Sequence, residues 1–141
     1  MLSIEKKKST IVFTKDDLEK LIFPIKPLVN LDLKEPFEVN NNLSFLKNIL
    51  IYQSSAKLFF VSLGSIDPYF LEKLKDEFLS TNSNKELEFI KSNDDLKLLN
   101  KNNNECYLLA KLGSVKSSDI LLFKKTSDLI NLNIKGLIVI D

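Results

Sequence analysis

The stretch Leu58-Phe59-Phe60-Val61-Ser62-Leu63-Gly64-Ser65-Ile66-Asp67-Pro68-Tyr69-Phe70-Leu71 decides the fold. Its first half is an apolar, β-prone run that begins at Lys57 and ends at Gly64-Ser65, a residue pair suited to a sharp turn. Asp67-Pro68 then opens a helix. An acid at the N-cap accepts from the free amides of the first turn, and proline at the first helical position gives up no hydrogen bond. Phe70, Leu71, Leu74, Phe78 and Leu79 follow the 3.6-residue period, with Glu72, Lys73, Lys75, Asp76 and Glu77 on the other face. After a polar loop over Thr81 to Lys85, Leu87 to Ile90 reads as a second strand. Strand, turn, helix and strand in that order are the grammar of an α/β fold.

The same grammar returns 49 residues later. Leu63-Gly64-Ser65 is echoed by Leu112-Gly113-Ser114, and Ile66 by Val115, Leu71 by Ile120, Leu74 by Phe123, and Phe89-Ile90 by Ile138-Val139. Two of the chain's 3 glycines stand in this shared tripeptide. Any two βαβ units share such a pattern, so the echo supports an α/β arrangement more than a duplicated ancestry.

Outward from these units the signals thin. Cys106 to Leu112 reads as a strand. Ser117-Ser118-Asp119 can start a helix, and residues 120–132 are either one helix or a strand followed by a helical turn. Leu137 to Ile140, four aliphatic residues in succession, predict a strand covered on both faces. Upstream, Thr14 stands three residues before Asp17 and predicts a helix over residues 15–23, stopped by Pro24 and Pro27. Thr10 to Phe13 reads as a strand or extended arm. Leu28 to Asn42 reads as irregular, with alternation at Leu31, Leu33, Phe37 and Val39 and a turn at Asn40-Asn41-Asn42. Ile49 to Gln53 and Lys57 to Leu63 resemble the two arms of a hairpin, or a strand and its neighbour, and Asn93-Asp94-Asp95 caps a short helix ending near Leu99. We expect one α/β (or α+β) domain over residues 10–141, with a mixed sheet of five to six strands, three to four helices and the C-terminal strand inside the sheet. Residues 1–9, with Lys6-Lys7-Lys8, are expected to form a flexible basic arm.

Composition narrows the chemistry. All 20 basic residues are lysine, and the chain has no histidine and no tryptophan. Phe, Tyr, Met, Ile, Asn and Lys, favoured by AT-rich codons, make up 61 of the 141 residues, so an AT-rich genome accounts for the missing arginine. Without histidine or a second cysteine there is no Ser-His or Cys-His pair and no zinc-ligand spacing. The single Cys106, followed by Tyr107, Leu108 and Leu109, is expected to be an inert core thiol. A net charge of +1 lacks the strongly basic footprint of a nucleic-acid binder. No stretch approaches the ~20 apolar residues that span a bilayer, and no signal-peptide core is present. A cytoplasmic location is expected.

The candidate ligand loop is Gly113, Ser114, Lys116, Ser117 and Ser118, which offers amides, hydroxyls and one lysine at a helix start. It lacks the spacing of a phosphate loop or a dinucleotide fold. If their strands run parallel in one sheet, this loop and Gly64 to Asp67 should lie close together, with Asp67 then weakening any anion site. Asp16-Asp17 and Asp94-Asp95 are read as helix-start charges and not as a metal site. We assign no catalytic residue, no metal and no cofactor. The expected function is a non-catalytic protein-interaction or adaptor module of the cytosol. Its alternatives are a small-molecule or anion-binding domain using the Gly113 to Ser118 loop, and a nucleic-acid-associated protein acting through surface lysines.

Overall fold

Why the chain forms these elements is clearest from its helix starts. In the computed structural model, which describes residues 10–51, 57–79, 86–91 and 105–141, Thr14 is extended and its hydroxyl accepts from the Asp17 amide at 3.2 Å. That bond opens α1 (Lys15–Ile22). β1 (Pro27–Leu31) and α2 (Pro36–Ile51) follow, then β2 (Lys57–Leu63) and α3 (Pro68–Leu79). α3 is capped by Asp67, whose carboxylate accepts from the Tyr69 amide at 3.0 Å. β3 (Glu86–Ile90), β4 (Glu105–Lys111), α4 (Ser117–Ile130) and β5 (Asn133–Ile140) complete the order. α4 ends at Asn131, in the left-handed region at φ 54°, where the Leu132 amide donates to the Ser127 carbonyl.

The five strands make one sheet in the order β1-β5-β4-β2-β3, and every pairing is parallel. Helices cover both faces. On one side α1 and α4 bury Leu18, Ile22, Ile120 and Phe123 against Phe59, Val61, Leu108 and Val139. On the other, α2 and α3 bury Val39, Leu43, Leu46, Phe70, Leu71, Leu74 and Phe78 against Leu58, Phe60, Leu109 and Ile138. Alternate residues of each central strand feed the two cores, as the two-residue period requires. On the α2/α3 side Phe60 stacks on Tyr107 at 5.5 Å and lies 5.9 Å from Phe89, tying β3, β2 and β4 together. The chain is a single three-layer α/β domain.

β5 is internal, and Leu137, Ile138, Val139 and Ile140 are each 0% exposed. The helix over Pro68–Leu79 stands where its periodicity predicts it. Residues 120–132 resolve into the single helix α4 and its cap.

Four expectations are corrected. Ile49 to Ile51 belong to α2, so they form neither a hairpin arm nor a strand beside β2, and the sheet is parallel where a mixed one was expected. The buried Val39, Leu43 and Leu46 have a helical spacing that the alternation of Leu31, Leu33, Phe37 and Val39 obscured. Asn40 to Asn42 lie within α2. Asparagine favours helices poorly, and here a tertiary bond compensates, the Asn42 side chain donating to the Asn30 carbonyl at 2.7 Å. Leu28 to Leu31 form β1, not an irregular segment. Thr10 to Phe13, expected as a strand or an extended arm, take the second form: outside the sheet, they bridge antiparallel through Ile11 to Lys116, bond through Thr10 and Val12 to Ser117, Val115 and Gly113, and bury Val12 in the core. The basic arm 1–9 and the short helix near Asn93 to Leu99 lie outside the described residues.

Candidate functional site

β2 and β4 are neighbours at the centre of the sheet, but the helices that follow them depart to opposite faces: α3 to one, α4 to the other. Loops that diverge in this way leave a crevice beyond the carboxyl ends of the strands. The units β2-α3-β3 and β4-α4-β5 are disposed here as if by a two-fold axis running along the strands between β2 and β4. The two Leu-Gly-Ser turns face each other across it.

They touch closely. The Ser65 amide donates to Ser114 Oγ at 3.0 Å, and that hydroxyl also lies 3.3 Å from the carbonyls of Ser65 and Lys111. Gly64 has φ +89°, and a Cβ built there would lie 2.8 Å from Ser114 Oγ and 2.9 Å from the Val115 amide nitrogen. Glycine is needed at this point for its backbone angle and for the approach of the second loop.

Beside this contact is a cleft of about 490 Å³ lined by Ser62, Gly64, Ser65, Lys91, Ser114 and Asp119. A neighbouring cavity of about 300 Å³ shares Ser62, Gly64, Ser65 and Lys91 and extends over Ile66, Pro68 and Leu71. The first also touches Val61 and Leu63, so its lining is mixed, and the second adds the apolar wall of Ile66, Pro68 and Leu71. Ser62 follows Leu58 and Phe60 on one face of β2, and its hydroxyl oxygen is buried with no hydrogen-bond partner among the described residues. A buried hydroxyl in this condition is destabilising unless something satisfies it. Lys91 leaves β3 and Asp119 stands in the first turn of α4; both are exposed, and neither makes an ion pair with a described residue.

The five residues of the sequence-based ligand loop are dispersed. Ser114 reaches the cleft. Gly113, at φ +87°, has open space around it and its amide donates to the Val12 carbonyl at 2.8 Å. The Ser114 and Val115 amides bond to the Lys111 carbonyl. Ser117 is buried; its amide donates to the Thr10 carbonyl at 2.8 Å, and its hydroxyl accepts from the Thr10 amide at 3.1 Å. Lys116 is exposed at the N-cap of α4 without a side-chain cap bond, and it does not line the cleft. Ser118 is half-buried at the start of α4. The amides that an anion cradle would use are thus engaged by the protein's own carbonyls, chiefly those of Lys111 and of residues 10–12.

Comparison with family models, curated proteins and solved structures finds no match.

Ser62, Lys91 and Asp119 carried no motif in the sequence, because they come from three different elements and only the strand order gathers them. One local signal existed: Ser62 interrupts an otherwise apolar strand. Elsewhere, Asp16 and Asp17 occupy the first turn of α1, and the Asp17 amide is held by Thr14. Burial pushes the Cys106 thiol up to about 12, which keeps it protonated and unreactive at neutral pH. A thiol reagent such as Ellman's should leave it untouched until the chain unfolds. Among the described residues, no three acidic or thiol side chains gather as a metal-binding group, and no helix is long and apolar enough to cross a membrane.

Proposed function

We propose that this domain is a non-catalytic binding module of the cytosol for a small polar ligand, seated in the cleft at the carboxyl ends of β2, β3 and β4. The observation that carries this reading is the cleft's position where the chain paths diverge, with hydroxyls and two charges of opposite sign converging on it. A second hollow of about 500 Å³, against Asp16, Glu19, Lys20 and Phe23, is wide open and lies on the surface of α1, away from the strand ends.

The test is a ligand-detected NMR screen of small polar fragments, followed by backbone amide titration. Binding that moves the Gly64, Ser65, Lys91 and Ser114 amide signals, and is lost in Ser65→Phe, supports the reading. Ser65 is exposed, so the phenylalanine should fill the cleft without entering the core. Hits that map elsewhere, or a screen without hits, would end it.

A protein-interaction or adaptor role is the second reading. It draws on apolar side chains left outside the cores, chiefly Leu122 and Leu129 on α4, which are 51% and 74% exposed and stand two turns apart. A defined partner protein that co-purifies with the wild type and is lost when both leucines become lysine would support it.

A further inference from the structure

We propose that the cleft takes a zwitterion of the α-amino acid class, an inference that rests on the cleft being a binding site. Among its described lining residues are one cation, Lys91, and one carboxylate, Asp119, and neither has an ionic partner among the described residues. A simple anion would gain Lys91 but meet Asp119. The Gly113, Ser114, Val115 and Ser117 amides, which could offset this repulsion, already donate to protein carbonyls, and the Ser65 amide donates to Ser114 Oγ. A simple cation meets the reverse problem. A ligand carrying both charges answers each with a charge-assisted hydrogen bond, its carboxylate accepting from the Lys91 ammonium and its own ammonium donating to Asp119.

The rest of the lining agrees with this class. The buried Ser62 hydroxyl borders both cavities and can donate to a carboxylate or accept from an ammonium group. Ile66, Pro68 and Leu71 supply an apolar wall in the adjoining cavity, which suits an aliphatic side chain. The lack of arginine also fits. Lysine serves as a point charge, so the carboxylate would be held by one ammonium and neighbouring hydroxyls and not by a guanidinium fork.

L-Leucine is the probe, with 4-methylpentanoate and 3-methylbutylamine as the analogues that lack its ammonium and carboxylate respectively. In amide titrations leucine should shift Gly64, Ser65 and Ser114, and each analogue should bind at least about tenfold more weakly, the loss of one charge-assisted bond. Lys91→Met should weaken leucine at least about tenfold but tighten 3-methylbutylamine, which loses a like charge beside it. Asp119→Asn should do the same to leucine and, for the same reason, tighten 4-methylpentanoate. Both positions are exposed, so the variants should fold. If leucine leaves the cleft signals unmoved while fragments bind there and are blocked by Ser65→Phe, the amino acid class is wrong and the cleft reading stands. Leucine that binds but ignores both substitutions overturns the amino acid class in the same way. If nothing engages the cleft, both readings fall.

Discussion

The two Leu-Gly-Ser turns share a tripeptide, a left-handed glycine and a place at the end of a central strand, yet they are built differently. The first serves itself: Asp67, three residues beyond Gly64, caps the helix that follows. The second is served from a distance. Lys116 offers α4 no side-chain cap, and the first turn of α4 is held by Thr10, 107 residues away. Gly64 is pressed against the other loop, whereas Gly113 faces open space. Identical local sequence thus sets the backbone path, while tertiary neighbours decide what each residue is for.

The largest test asks whether the two units are energetically alike beneath their turns. Leu74 of α3 and Phe123 of α4, equivalent in the internal echo, are 3% and 0% exposed and fill opposite cores. Truncation to alanine should cost about 2–5 kcal/mol at Leu74 and about 3–5 kcal/mol at Phe123. Urea unfolding of each variant measures this. A loss under about half a kcal/mol at Leu74, with Phe123 near its expected value, would mean that α3 is not a core helix and the likeness of the units is superficial.

A smaller effect separates the glycines. Gly113→Ala should cost only the left-handed backbone penalty, about 1–2 kcal/mol. Gly64→Ala carries the same penalty and also drives a methyl group into Ser114 and Val115, for about 2–4 kcal/mol in all. Adding Ser114→Ala to Gly64→Ala should recover part of the difference, because it removes the hydroxyl that would be met first. Equal losses for the two glycine variants would show that the loops are not in contact in solution, and would remove the wall of the proposed cleft.

Much of this frame was legible in the sequence, and the reasons are specific. Asp67-Pro68 and the spacing of Phe70, Leu71, Leu74 and Phe78 are local signals that the tertiary structure had no cause to override. The run Leu137 to Ile140 announced an internal strand through lack of polar alternation. α2 was missed because three asparagines interrupt its pattern and its stabilising bond reaches back to β1. The candidate site was legible only in half. Gly64, Ser65 and Ser114 stand in turns that a reader can find, but Lys91 and Asp119 join them only through a strand order that periodicity does not encode. The fate of the Ser117 amide was equally hidden, since its acceptor is Thr10.

The smallest effect concerns the caps. Asp67→Ala should lower stability by about 1 kcal/mol, the usual loss when a helix forfeits its N-cap acceptor. Lys116→Ala stands at the corresponding cap of α4 and should change stability by less than about half a kcal/mol, because its side chain makes no cap bond. The capping of α4 should respond instead to Ser117→Ala. That change removes the hydroxyl that receives the Thr10 amide and should cost about 1 kcal/mol. Amide hydrogen exchange adds the decisive contrast. Asp67→Ala should speed exchange at Tyr69, close to the mutation, whereas Ser117→Ala should also speed exchange at Val12 and Gly113, whose bonds belong to the same strap. If Ser117→Ala leaves those amides as protected as before, the backbone bonds of residues 10–12 to Val115, Gly113 and Ser117, with the burial of Val12, hold the strap without that hydroxyl. The second turn would then rest on distant backbone bonds where the first rests on its own side-chain cap.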